Sequence, residues 1–216
     1  GVKDIAFTVE DATGVYKLAI SRGAISVQEP TRLEDENGHV IIASVKTYGD
    51  TIHTFVERKN FNGAFLPSFQ HITKQDPLNL LYGTFKYGFI DHVVGNHEVG
   101  DMELTVEWYE KVLEFHRFWS VDDSIIHTDY SSLKSIVVAD YDEVIKMPQN
   151  EPAKGKRKSQ IQEYVDYYNG SGVQHIAINV DNIIDVIDNL TKRGLEFLEI
   201  PDKYYENLRK RLDNSS

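Results

Sequence analysis

Alternation of hydrophobic and polar positions marks the first element of the chain. The run IAFTVE alternates as a half-buried strand does, and residues 13–22 then carry hydrophobic side chains at helical spacing until Gly23. Three further strand-like runs follow, AISVQEP, HVIIASVKTYG and TIHTFVER, broken by the turn sequences ENGH and GD. The pattern predicts a strand, a helix and three strands in residues 1–59.

The same order of elements returns further along the chain. FIDHVVGN begins a second unit, with a helix near residues 103–115 and strand-like runs from FHRFWSVDD through SIIHTDYSSLKSIVVADYD to EVIKMP. GVQHIAINV begins a third unit, with a helix near residues 182–193 and LEFLEIP as the start of its next strand. Residues 60–86 are typical of a connector, and residues 149–171 of a polar loop that contains a short helix, IQEYVDYYN. The repetition predicts an α+β fold whose modules pair, because one module cannot bury both faces of its sheet.

A direct sequence repeat supports this modular fold and singles out one residue. GVQHIAINV, residues 172–180, repeats GVKDIAFTV, residues 1–9, and the register persists past the strand into the next helix. Asp4 in the first copy is His175 in the second. A duplicated scaffold can gain a metal ligand in one copy in this way, so His175 is a candidate ligand.

His92 lies at the equivalent place in the second unit, in the middle of its first strand. An imidazole on an apolar strand face needs a partner, and a lone strand histidine is more often a satisfied core residue than a ligand. Two such residues in paired modules could instead converge on one ion. Two histidines and a carboxylate with open positions form the facial triad of non-haem Fe(II) oxygenases. Alternation points Asp91 away from His92, and module symmetry places the expected carboxylate on a strand beyond Ser216.

Composition narrows the function class. A net charge of −11 argues against broad nucleic-acid binding, which depends on basic side chains at phosphates. No apolar run approaches the roughly 18 residues of a membrane-spanning helix. The absence of cysteine excludes disulfides and thiolate metal sites and permits a cytoplasmic setting. Because the chain opens inside a strand pattern, we expect it to be a piece of a longer protein.

Three segments carry a resemblance to a known family: GVKDIAFTVED, FIDHVVGN and SIVVADYDEVIKMPQNEPAKGKRKSQIQEYVDYYNGSGVQHIAI. Over essentially its whole length the chain resembles the 4-hydroxyphenylpyruvate dioxygenases of the animal type, which belong to the vicinal-oxygen-chelate superfamily. The resemblance implies βαβββ modules, two to a domain. Residues 1–59 would then be the second module of an N-terminal domain and residues 60–86 a connector. Residues 87–216 would be an incomplete catalytic C-terminal domain, with modules 87–148 and 172–216 around the loop.

The resemblance also implies a site. Its Fe(II) ligands match His92 and His175, and its third ligand, a glutamate on a late strand, would lie beyond the end of this sequence. Its neutral substrate-binding residues match Ser135, Asn150, Gln160 and Gln174. Alternatives remain open, since Asn150 fits a turn, Gln160 fits a helix start, and alternation puts Gln174 on the face opposite His175.

The reaction of the family converts 4-hydroxyphenylpyruvate, a 2-oxo acid, and O2 to homogentisate and CO2 in tyrosine and phenylalanine catabolism. The resemblance implies a cytoplasmic homodimer with no nucleic-acid or membrane partner. It also implies that the fragment alone is inactive, because one iron ligand is missing. Two other functions stay open: a 4-hydroxymandelate synthase-like enzyme that uses the same substrate, and a non-catalytic binding module on the same scaffold.

Overall fold

The first sheet forms from the predicted strand, helix and three strands. The computed structural model describes residues 1–121, 132–153, 155 and 157–213. Its first elements are β1 (Asp4–Thr8), α1 (Ala12–Ser21), β2 (Ser26–Asp35), β3 (Gly38–Lys46) and β4 (Ile52–Glu57). The strand order is β1-β4-β3-β2, with β1 parallel to β4 and the other neighbours antiparallel. The predicted order of elements in residues 1–59 is confirmed.

A second sheet repeats this order and adds one strand. In chain order, the next elements are α2 (Pro77–Tyr82), β5 (Ile90–Asn96), α3 (Asp101–Leu113), β6 (His116–Val121), β7 (Ser132–Ala139), β8 (Lys146–Ala153), α4 (Gln160–Tyr168) and β9 (Gly172–Ile178). The strand order is β6-β7-β8-β5-β9. β8 runs parallel to β5 on one side, and β9 runs antiparallel to it on the other. The first strands of the second and third predicted units therefore lie side by side.

Strand β8 extends into the segment predicted to be a polar loop. Its antiparallel ladder with β7 continues to Ala153 and buries Gln149, Asn150 and Glu151. Their polarity suggested a loop, but the buried amides find hydrogen-bond partners within the sheet. Asn150 is therefore a strand residue, and the alternative of a turn is wrong. Part of the predicted run SIIHTDYSSLKSIVVADYD lies in residues 122–131, outside the described residues.

The strand predicted for LEFLEIP is not formed. α5 (Ile183–Lys192) is followed by residues 195–200 without regular structure and then by α6 (Asp202–Asp213). A strand needs a neighbour that takes up its backbone hydrogen bonds, and no strand in the described part of the chain pairs with this segment. The Lys-, Glu- and Arg-rich sequence that follows favours a helix. None of the helices in the described ranges is long and apolar enough to cross a membrane.

The chain divides into two compact units. The larger comprises Gly1–Thr73 and Phe89–Asn179, and the smaller comprises Lys74–Gly88 and Val180–Ser216. In the smaller unit, the Arg193 guanidinium joins the two segments by donating to Asn79 Oδ1 at 2.8 Å and to the Gly83 carbonyl at 2.5 Å. Both sheets belong to the larger unit.

Helix α3 supplies residues to both clusters of the hydrophobic core in the larger unit. Val106 and Tyr109 pack with Met147 of the second sheet, and Val112 packs with Phe55 of the first. Fully burying such a side chain stabilises the fold by about 1.5–3 kcal/mol. The core therefore fixes the second sheet, which carries the candidate site, on a helix that does not take part in that site.

Replacing Asp11 by alanine is expected to lower the free energy of unfolding by about 1 kcal/mol. The Asp11 carboxylate accepts the backbone N–H of Gly14 at 2.8 Å and so satisfies one of the free amides at the start of α1. Glu10→Ala is the matched control, because it removes the neighbouring acidic side chain without removing a cap. Urea unfolding measures both variants, and equal losses of stability would contradict the capping role.

Candidate metal centre

Two adjacent strands carry the histidines predicted to bind a metal. His92 lies on β5 and His175 on β9, and the ladder pairs Ala177 with His92 and Val94 with His175. Paired residues share one face of a sheet, so both imidazoles project from the same face. Their ring centroids are 5.6 Å apart and their planes are inclined at 76°. The structure therefore brings the two predicted ligands together.

A register shift accompanies each histidine. On β5, Asp91 is an extra residue immediately before His92, and on β9, Gln174 is an extra residue immediately before His175. Such β-bulges often re-aim side chains beside functional sites. Strict alternation placed Asp91 and Gln174 away from their histidines, and the two bulges correct that expectation.

Each extra residue accepts a hydrogen bond from the Nδ1 atom of its histidine. His92 Nδ1 lies 2.7 Å from Asp91 Oδ1, and His175 Nδ1 lies 2.8 Å from Gln174 Oε1. A carboxylate or amide oxygen only accepts, so in each neutral imidazole the proton is on Nδ1 and the lone pair is on Nε2. Metal-ligating histidines characteristically donate their other ring N–H in this way.

The spacing of the two rings suits one shared metal ion. An imidazole nitrogen lies about 2.0–2.1 Å from such an ion. When the angle between the two nitrogen–metal bonds lies between a right angle and the trigonal angle, the ring centroids are about 4.5–5.5 Å apart. The observed 5.6 Å is close to this range. Within the described ranges, no group of three His, Cys, Asp or Glu side chains could hold a metal. The residues present thus fit as two of the protein ligands.

The surroundings of His175 favour the form of imidazole that binds a metal. Partial burial lowers the pKa of His175, and the neighbouring His92 lowers this pKa further. Only the neutral imidazole has a lone pair for a metal. His175 is therefore ready to act as a ligand at neutral pH.

Buried neutral side chains lie on the same face as the histidines. Asn96 of β5 is paired with Asn150 of β8, and Asn150 is paired in turn with Ser135 of β7. Asn96 Oδ1 accepts from Gln174 Nε2 at 3.0 Å and from Asn150 Nδ2 at 3.4 Å. The structure therefore brings three of the predicted substrate-binding residues together: Ser135, Asn150 and Gln174.

Gln160, the fourth predicted substrate-binding residue, makes none of these contacts. It is the first residue of α4, directly after the N-cap Ser159, and it is exposed. In the described part of the chain its side chain makes no hydrogen bond. The structure thus places Gln160 at a helix start and does not bring it to the other three.

His92 also borders a largely apolar cavity of 450 Å³. The walls of the cavity include Phe7, Met147 and Ile176. His175 and the buried amides do not line this cavity, so it adjoins the site at His92 and Asp91 alone among the residues of the site described above.

Asp91 and Asn96 are two residues of the site that the sequence analysis did not assign to it. The role of Asp91 depends on the bulge, which leaves no mark in the sequence of one strand. Asn96 did carry a signal, because asparagine is depleted in strands and this one shares the face of His92 by alternation.

The chain is similar to known proteins both in sequence and in structure. A family model described as the Glyoxalase/Bleomycin resistance protein/Dioxygenase superfamily matches residues 89–213. Curated proteins named 4-hydroxyphenylpyruvate dioxygenase are similar to the chain: that of Tetrahymena thermophila is 56% identical over 212 residues, and that of Dictyostelium discoideum is 56% identical over 217 residues. These alignments cover 98% and 100% of this chain but 52% and 59% of the relatives. The chain therefore spans about half the length of the curated relatives it matches.

A solved structure is similar in fold. A triple mutant of 4-hydroxymandelate synthase from Streptomyces coelicolor matches with a TM-score of 0.76 and 27% identity, covering 98% of this chain and 58% of that one. Together with the family model, this similarity confirms the predicted α+β fold of vicinal-oxygen-chelate type.

Proposed function

The chain belongs to the glyoxalase/bleomycin resistance protein/dioxygenase superfamily, and from that premise we propose that the full-length protein is a 4-hydroxyphenylpyruvate dioxygenase. It takes 4-hydroxyphenylpyruvate and O2 as substrates and releases homogentisate and CO2. One observation carries the proposal: two imidazoles share a sheet face at a separation suited to one ion, each with its Nδ1 hydrogen-bonded. The names of the relatives at 56% identity support the choice of substrate.

Each residue of the site has a part in this reaction. His92 and His175 would hold Fe(II) through their Nε2 atoms, while Asp91 and Gln174 fix the orientation of the two rings. When bound, Fe(II) would supply the Lewis-acid and redox chemistry that a reaction of a 2-oxo acid with O2 needs. Neutral groups suit the rest of the pocket, because they orient the substrate without competing with the charge of the ion. Ser135, Asn150 and Gln174 would do this, and Gln160 is assigned the same part on the resemblance alone.

The proposal includes the organisation of the full-length protein. Residues 1–59 are the second module of an N-terminal domain, residues 60–86 are a connector, and residues 87–216 are most of the catalytic domain. The match of the family model to residues 89–213 supports this division. A glutamate from a later strand completes the iron site. The enzyme acts as a cytoplasmic homodimer in tyrosine and phenylalanine catabolism.

A 4-hydroxymandelate synthase is the second candidate, and the structural similarity with a TM-score of 0.76 favours it. Such an enzyme would use the same substrate and hydroxylate its side chain instead of its ring. The identity to the synthase is 27%, against 56% to the two dioxygenases, so the dioxygenase is the stronger proposal.

Product analysis of the full-length protein tests the proposed function. The protein is loaded with Fe(II) and supplied with 4-hydroxyphenylpyruvate and O2. The two possible products are isomers and both accompany CO2, so chromatography must identify the product. Homogentisate supports the dioxygenase, and 4-hydroxymandelate supports the second candidate. The absence of both products, together with absent Fe(II) binding, would leave a non-catalytic binding module.

The 216-residue chain alone is expected to form no homogentisate. Two neutral imidazoles leave the charge of the ion uncompensated, and the described ranges contain no group of three ligands. The full-length protein in the same assay is the control. Sustained turnover by the 216-residue chain with added Fe(II) would refute the need for a third ligand from elsewhere.

A further inference from the structure

Asn96 joins two of the proposed substrate-binding amides through one oxygen. Its side chain is fully buried, and its Oδ1 accepts from Gln174 Nε2 at 3.0 Å and from Asn150 Nδ2 at 3.4 Å. In the described part of the chain, Asn96 Nδ2 is buried without a hydrogen-bond partner. An unsatisfied buried donor is destabilising. The orientation of Asn96 is therefore held by the two N–H groups that donate to its Oδ1 and not by a hydrogen bond from its own Nδ2.

The orientation of Asn96 determines the orientation of Gln174. An amide side chain has one accepting end and one donating end. Because Gln174 turns its donating end to Asn96 Oδ1, its accepting end must point the other way. That end, Gln174 Oε1, lies 2.8 Å from His175 Nδ1. The oxygen can only accept, so the proton of the neutral His175 imidazole is on Nδ1.

His92 does not need a partner residue that fixes the orientation of its hydrogen-bond acceptor. Its Nδ1 faces a carboxylate oxygen of Asp91 at 2.7 Å, and a carboxylate accepts at either oxygen. Gln174, in contrast, could rotate by half a turn and present N–H groups to His175. That rotation would leave the lone pair of His175 on Nδ1 and the proton on Nε2, the atom needed for the metal. The two histidines therefore depend on different kinds of support.

We propose that Asn96 is a positioning residue that holds the amide of Gln174 in one orientation and thereby selects the Nδ1–H tautomer of His175. Asn96 touches neither the metal position nor the histidine, and it acts through Gln174. The same Oδ1 also accepts from Asn150 Nδ2 and so turns the donating end of Asn150 toward Asn96. The use of this tautomer for Fe(II) rests on the proposed function, but the tautomer itself exists without metal.

Substitution of Asn96 by leucine tests the proposal in the metal-free full-length protein. Leucine keeps the approximate size of the side chain and removes the accepting oxygen. We expect the imidazole ¹⁵N chemical shifts of His175, measured by NMR at mildly alkaline pH, to change from the Nδ1–H tautomer to a mixture. Anaerobic titration with Fe(II) should show affinity weakened by about tenfold, the lower end of the effect of removing an outer-shell partner.

A second substitution separates positioning from a general effect on folding. In Gln174→Glu, the side chain accepts from His175 at either oxygen, so its rotation no longer matters. The Asn96→Leu change should therefore leave the His175 tautomer unchanged in the Gln174→Glu background. Gln149→Leu is the matched control, because Gln149 is an equally buried amide whose bonds go to His97 and the Met147 carbonyl instead. It should leave the tautomer of His175 unchanged.

The outcomes distinguish this inference from the proposed function. A single Nδ1–H tautomer in folded Asn96→Leu protein would overturn the inference, even if the protein binds Fe(II) and forms homogentisate. A mixed tautomer in the Asn96→Leu variant, found together with a wild-type protein that binds no Fe(II), would support the inference and refute the proposed function. Where the leucine variant does not fold, Asn96→Ser replaces it with the same two readings, because the serine hydroxyl is too short to reach Gln174.

Discussion

Alanine in place of either His92 or His175 is expected to weaken Fe(II) binding by the full-length protein at least about 100-fold and to remove detectable turnover. Loss of an outer-shell partner already costs about 10- to 100-fold in metal affinity, and each of these substitutions removes a ligand itself. The ion would then have one fewer protein ligand. The remaining imidazole would also lose the neighbouring ring, whose centroid lies 5.6 Å away.

Anaerobic titration with Fe(II), followed by oxygen uptake with 4-hydroxyphenylpyruvate, measures both effects. His116→Ala is the control, because His116 is an exposed histidine of β6 whose Nε2 lies 3.2 Å from Glu143 Oε1. Iron affinity and turnover should be unchanged in that variant. Unchanged iron affinity in both ligand variants would refute the metal centre. Equal losses in all three variants would mean that the effect comes from folding and not from ligation.

The pairing of the two histidines could be anticipated from the sequence because it follows from a repeat. His175 replaces Asp4 at the same position of a duplicated strand, and His92 occupies that position in a third copy. Once the first strands of two modules pair, as β5 and β9 do, equivalent positions must come close together. The symmetry of the repeat thus converts a position in one strand into a position in its neighbour, which is why the sequence alone indicates that His92 and His175 meet.

The residues that accept hydrogen bonds from the two histidines could not be predicted from the sequence in the same way. The register of two strands is a property of the pair, and one extra residue reverses which face each following side chain takes. The bulges at Asp91 and Gln174 therefore cannot be read from either strand alone. They change Asp91 from a residue on the wrong face into the acceptor for His92 Nδ1. Alternation remains a good rule until a bulge interrupts it.

Two errors in the elements have a common physical cause. Asn150 lies in a strand despite its polarity because its amide has a partner in Asn96. LEFLEIP forms no strand despite its hydrophobic pattern because, in the described part of the chain, it has no neighbouring strand. In each case the structure depends on whether a segment far away in the sequence supplies a partner.

A loss of stability of up to about 3 kcal/mol is expected from His53 alone as the pH falls from neutrality to about 4. His53 is fully buried on β4 and packs against the aromatic rings of Phe7 and Trp108, whose centroids lie 4.8 and 6.0 Å from its own. Burial lowers the pKa of His53 from 6.5 to about 4, although its hydrogen bond to the Ile5 carbonyl opposes this shift. The imidazole is therefore neutral in the folded protein.

The hydrogen bonds of His53 agree with a neutral ring. Nδ1 lies 2.9 Å from the Ile5 carbonyl, which only accepts, so Nδ1 carries the proton. Nε2 must then accept from the Tyr109 hydroxyl at 2.8 Å, and burial raises the pKa of Tyr109, which keeps that hydroxyl protonated. Below pH 6.5 the unfolded chain takes up a proton at this position and the folded protein does not. Acid therefore favours unfolding until the pH reaches the folded-state pKa of about 4.

His53→Gln removes the titration while keeping one donor and one acceptor in the site. Urea unfolding at about pH 7 and about pH 4.5 should show a smaller loss of stability for this variant than for the wild type. Part of the pH dependence of stability will remain in this variant, because burial also lowers the pKa of His97. His71→Gln, at an exposed position, should behave as the wild type. If His53→Gln instead loses as much stability as the wild type, the imidazole must gain its proton equally in both states. Nε2 could then not accept from Tyr109, and the buried contact between β4 and α3 would need a different account.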